Sequence, residues 1–144
     1  MSTPGALNRS GALPVSRKVV ARFAVGLAHL IARLSPRHIR TVMTLLRRGA
    51  APATHVNAKA ARDAVLAVSL ACTGPQGCLP RSLATALLCR MSGQWPVWCV
   101  GVRVLPPFGA HAWVEAEGRL VDEDAPDDYF QRLMTVPALE PKRS

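Results

Sequence analysis

The amino-acid sequence predicts an α+β fold in which several helices come first and a small antiparallel sheet follows. Three observations carry that prediction. Apolar residues recur at intervals of three and four up to Met91; from Val97 the texture turns β-branched and aromatic; and the helix that ends at that change starts with a cysteine after a glycine. A chain of 144 residues with 49% hydrophobic content is long enough to bury one real core and too short for two.

Residues 1–15 carry Gly, Pro, Ser and Asn without periodicity and read as a flexible N-terminus. From Ser16, the positions Val19, Val20, Phe23, Leu27, Leu30, Ile31 and Leu34 form one stripe of a helix, expected to face the core. Arg22, His29 and Arg33 interrupt it, so no uninterrupted apolar span of about 18 residues exists, and an amphipathic helix is expected in place of a signal or membrane segment. Ser35 and Pro36 supply an N-cap and a first-turn proline for a second helix, with Ile39, Val42, Met43 and Leu46 inward and Gly49 as its stop. Residues 16–56 therefore read as a helical pair.

A third helix is expected over 57–72, with Ala60, Ala61, Ala64, Val65 and Val68 as a small-residue face. After a Gly- and Pro-containing loop, a fourth runs over 78–91, its face of Leu79, Leu83, Ala86 and Leu87 directed at the sheet. The run 97–104 reads as an interior strand, and the segments around Glu117-Gly118 as a β-hairpin. The core is thus set at 57–134, and residues 135–144, with two prolines and mixed charge, read as a flexible tail.

The formal charge of +9 is unevenly spread, since no Asp or Glu precedes Asp63 and most acids gather between Glu115 and Asp128. A basic half attracts nucleic acid, an acidic membrane surface or an acidic peptide alike. Arg37, Arg40, Arg47 and Arg48 would line one face of a helix-turn-helix, but an N-cap at Ser35 directly after Leu34 leaves little of the turn, so nucleic-acid binding stands only as an alternative. Cys72, Cys78, Cys89 and Cys99 form no CxxC pair and no zinc spacing with the four histidines, which points to reduced thiols, no metal and a cytoplasmic setting.

Cys78 differs from the other three by its address. Unpaired N–H groups at a helix start favour a thiolate, a neighbouring imidazolium lowers its pKa further, and the N–H groups near Cys78 and Leu79 can hold an oxyanion during acyl transfer. Cys72, Cys89 and Cys99 read as core residues. If Glu117-Gly118 is a two-residue turn, Trp113 faces Asp122 and His111 faces Asp124, so the imidazole and both acids share one face of the hairpin. Cys78, His111 and Asp122 are the expected catalytic set, with Asp124 as the alternative third member because a one-residue bulge would exchange the two acids.

These residues resemble a known family. CLPRSLATALLCR followed by VGVRVLPPFGAHAWVEAEGRLVDED is similar to the transglutaminase-like leader peptidases of lasso-peptide biosynthesis, over about residues 57–133. The resemblance implies a transglutaminase/papain-like core, a catalytic cysteine at Cys78 and a histidine at His111. It also implies a cysteine peptidase that removes the leader from a ribosomally made precursor without any cofactor, before an ATP-dependent macrolactam cyclase acts. V-D-E-D stands where the family has an Asn-Asp type pair, which leaves the acid open between Asp122 and Asp124. Two helices before Asn57 leave no room for the small β-rich leader-recognition domain of some relatives, so a separate leader-binding protein is expected, and the Arg-rich face is expected to meet the leader, that protein or the cyclase. A transglutaminase-like acyl transferase, with the same thioester and an amine acceptor, is the rival enzymatic reading.

Overall fold

Pro14 presets the entry to the first helix, α1 (Val15–Ala32), in a computed structural model that describes residues 14–69, 72, 77–104, 109–121 and 130–139. Ser35, in extended backbone, and Pro36 at the first helical position start α2 (Pro36–Leu46), and the Ser35 hydroxyl is hydrogen-bonded to His38 Nδ1 at 2.8 Å. Ile39 and Met43 are buried and Val42 and Leu46 half-buried, the inward set that the spacing predicts.

The face that α1 buries is not the expected one. Ala21, Ala24, Val25, Ala28 and Ile31 turn inward, while Val19, Phe23 and Leu30 are 56%, 64% and 61% exposed. Both stripes recur at three and four, so the period alone does not choose between them. Packing does: α1 lies against two other helices, and three fully buried alanines let the backbones approach more closely than Phe and Leu would.

One of those helices is α3 (His55–Val68), whose N-cap Thr54 accepts the Asn57 N–H on its hydroxyl at 3.1 Å. It ends at Val68, short of the expected Cys72, because Ser69 leaves the helix in extended backbone. Ala58, Ala61, Ala64 and Val65 are buried, but Ala60, expected on that face, is exposed.

The other is α4 (Cys78–Met91). Every residue from Ser82 to Cys89 is buried, so this helix is enclosed all round by α1, α3 and the sheet and does not show the sheet a single apolar face. Arg90 near its C-terminus donates to the carbonyls of Leu46 at 2.7 Å and Arg48 at 3.1 Å, which ties the end of α2 to it.

Two short strands, β1 (Ala51–Pro52) and β2 (Gln94–Trp95), pair in parallel. The main sheet is antiparallel in the order β5-β4-β3-β6, built from β3 (Val97–Arg103), β4 (Ala110–Ala116), β5 (Arg119–Leu120) and β6 (Phe130–Val136). β3 is interior, as expected. The hairpin is as expected too: Ala116 pairs with Arg119, and Glu117 and Gly118 both take positive φ, 54° and 77°, as a two-residue turn between right-twisted strands requires.

β6 corrects the sequence reading. Val136 is buried opposite Trp98 and its carbonyl accepts the Trp95 indole N–H at 3.0 Å, so the sheet runs through Thr135 and Val136, into the stretch 135–144 that the sequence pattern makes a flexible tail. A bulge between Val100 and Gly101 breaks its register. Gly101 is required there, since a Cβ would collide with the Gln131 carbonyl oxygen and meet Trp113 Cη2 at 3.0 Å.

Candidate active site

Gly77 ends the approach to α4 and its carbonyl accepts the first intrahelical bond, from the Arg81 N–H at 2.9 Å. Cys78 and Leu79 precede that bond, so their N–H groups have no acceptor inside the helix. The helix start is braced from two sides. Trp98 of β3 donates its indole N–H to Ser82 Oγ at 3.1 Å, and that hydroxyl donates to the Leu79 carbonyl at 2.9 Å. Arg81 donates to the Cys72 carbonyl at 3.0 Å, which gives it a structural part, and its charge also favours the Cys78 thiolate.

His111 lies at the start of β4, buried and paired with Gly101. Its ring stacks on Phe130 at 4.9 Å and on Trp113 at 5.8 Å between centroids, and Trp113 and Phe130 stack at 4.7 Å. Among the described residues, β5 pairs only with the far end of β4, at Glu115 and Ala116, while the start of β4 meets the start of α4.

The structure brings Cys78 and His111 together there. Cys78 is half-buried, and its thiol is held below the ordinary value of 9.0 chiefly by its hydrogen bond with the His111 ring. Burial opposes that effect, while the Ala112 backbone N–H, the His111 charge and the Arg81 charge add to it. Cys89 and Cys99 go the other way, each pushed up to about 12, with desolvation first among the causes and, for Cys99, the Glu115 charge next. Cys72 is fully buried. One thiol in four therefore has a nucleophile's surroundings.

Asp122 and Asp124, the expected third members, lie outside the described residues. Among the described residues no three His, Cys, Asp or Glu side chains come together as a metal site, and no helix is long and apolar enough to cross a membrane. The bracing residues were not foreseen: Trp98 and Ser82 are 16 positions apart, and nothing local in the sequence couples them. Trp113 did carry a signal, two positions after His111 on a strand and so on the same face.

A half-buried thiol at a helix start, hydrogen-bonded to an imidazole and beside backbone N–H groups that have no acceptor within the helix, can attack a carbonyl and pass through a thioester. A family model described as the transglutaminase-like superfamily matches residues 21–135. No curated protein and no solved structure matches the chain. Members of that superfamily are typically enzymes of cysteine-protease or acyltransferase type, and the matched span includes α4, β4 and all of β6 but its last residue. By that match and the helices-then-sheet architecture that bears it out, the chain belongs to the transglutaminase-like superfamily.

Proposed function

We propose that the protein is a cysteine peptidase that removes the leader from a ribosomally made lasso-peptide precursor. The observation that carries this reading is the hydrogen bond between the Cys78 thiol, at the start of α4, and the His111 ring of β4. The thiolate attacks the carbonyl carbon at the leader–core junction, and the N–H groups of Cys78 and Leu79 hold the oxyanion. The carbon–nitrogen bond breaks as the His111 imidazolium gives its proton to the departing amine. His111 then takes a proton from water, whose oxygen attacks the thioester, and the leader leaves as a carboxylate with the thiol restored. Asp122, or Asp124 in its place, orients the imidazole in this reading.

The freed amine of the core peptide is the group that a partner ATP-dependent cyclase would join to an acidic side chain. A separate leader-recognition protein presents the precursor, and the Arg37 and Arg40 face of α2 is where the leader or a partner docks. Arg47 is less available for this, since it already donates to the Pro137 carbonyl at 2.9 Å.

Purified protein, incubated with a precursor peptide and its leader-binding partner, should release leader and core as two masses. Release by Cys78→Ala at the wild-type rate would sink the proposal. The acyl-transferase reading uses the same thioester, and a product mass showing an amide to an added amine, with no hydrolysed leader, would favour it.

A further inference from the structure

On the sheet face that carries His111, a carboxylate is buried where a strand could hold an apolar residue. Glu115 is 6% exposed, and its Oε2 accepts the Trp113 indole N–H at 2.9 Å, Arg132 Nε at 2.9 Å and Arg132 Nη2 at 2.6 Å. The Cys99 thiol donates to the same oxygen at 3.7 Å. Burying a carboxylate is costly even when paired, and apolar side chains often serve stability as well or better. What the carboxylate does that an apolar residue cannot is take the one hydrogen bond an indole offers, and so fix the ring's rotation.

That indole stands against the imidazole. The planes of Trp113 and His111 lie 18° apart, those of Phe130 and His111 15° apart. The three rings make one wall, and Gly101 beneath it provides the room for Trp113. The charged or titratable groups that the described structure sets around this wall are Cys78 and Arg81 on α4, Cys99 and Arg103 on β3, the latter paired with Phe130, Glu115 on β4 and Arg132 on β6.

We infer that Glu115 and Trp113 are positioning residues for His111: the carboxylate anchors the indole edge, and the indole face holds the imidazole at the angle from which it meets the Cys78 sulfur. The inference rests on Cys78 and His111 being the reacting pair. Neither Glu115 nor Trp113 touches substrate in this arrangement. Their influence reaches the thiol only through the imidazole.

The test reads the thiol itself and needs no peptide. The rate of Cys78 alkylation by iodoacetamide is followed against pH by peptide mass mapping, in the wild type, in Trp113→Phe, in Glu115→Gln and in the double variant, with thermal melts confirming that each is folded. Wild-type alkylation should have its midpoint below 9.0. Trp113→Phe keeps a ring but loses the N–H, and should move the midpoint up by about one unit, roughly tenfold slower alkylation at a fixed pH below it. Glu115→Gln keeps an acceptor oxygen for the indole but loses the charge pair with Arg132 that holds it in place, and should move the midpoint in the same direction by less. The double variant should match Trp113→Phe alone, because Glu115 acts through the indole.

An unmoved midpoint in folded Trp113→Phe overturns the inference whatever Glu115→Gln does, and so does a full additional shift from Glu115→Gln when Phe already stands at 113. A wild-type midpoint at 9.0 is a different failure. It would remove the Cys78–His111 pair, and with it the peptidase reading.

Discussion

Cys78 and Cys99 lie on either side of the same stack of rings, and they have opposite chemistry. Cys99, within β3, is fully buried against Trp113 and Phe130 with the Glu115 carboxylate facing its sulfur, and both burial and that charge keep it a thiol. Cys78 is only half-buried, and the His111 ring, the Ala112 N–H and the Arg81 charge all favour its thiolate. The two differ in which effect wins at the sulfur: hydrogen-bond donors and positive charge outweigh burial at Cys78, whereas burial and the Glu115 carboxylate outweigh the nearby Arg132 charge at Cys99. A residue's identity says little about reactivity until its neighbours are known.

The sharpest way to break this comparison is to delete one side of it. Cys78→Ala should abolish both rapid alkylation at neutral pH and leader release while leaving the circular dichroism spectrum unchanged, because the substitution removes a half-exposed sulfur and no core volume. Next in size is Gly101→Ala, which pushes a methyl into the Gln131 carbonyl and the Trp113 ring. It should cost about 2 kcal/mol in urea unfolding and disturb both cysteines at once, since Trp113 serves both.

Replacing the imidazole touches only one side. His111→Gln should bring the Cys78 alkylation midpoint back toward 9.0, about tenfold slower reaction at neutral pH, without changing the buried thiols. The smallest effect belongs to the other side and is seen in alkali. A thiol raised to about 12 in the fold and near 9.0 when unfolded keeps its full contribution to stability below pH 9.0 and loses it as pH climbs toward 12, because the unfolded chain releases the proton first. Urea midpoints should therefore fall above pH 9.0, and less steeply in Cys99→Ala than in the wild type.

Much of the architecture was legible in local pattern. The Ser35-Pro36 start of α2, the glycine before α4, the Val97 strand and the Glu117-Gly118 turn are all set by residues within a few positions of one another. The rotation of α1 was not legible, because two adjacent stripes share one period and only the neighbouring helices choose the alanines. β6 was missed since FQRLMTV does not alternate: the bulge opposite Gly101 breaks its period, and Gln131, Arg132 and Leu133 are exposed in succession. At the candidate site, Cys78 stood out by its place at a helix start and His111 by its place on a hairpin. The Trp98–Ser82 brace and the Glu115–Arg132 pair depend on which strands lie side by side, which no local spacing encodes.

The enclosure of α4 also sets a timescale. Residues Leu83 to Cys89 are all buried, so their backbone hydrogens should exchange with solvent slowly, near the rate set by unfolding of the whole molecule. The candidate nucleophile is thus mounted on the end of a segment whose amides should exchange slowly. Fraying at the ends of α1 or β6 can come and go many times while the sulfur at residue 78 keeps its place.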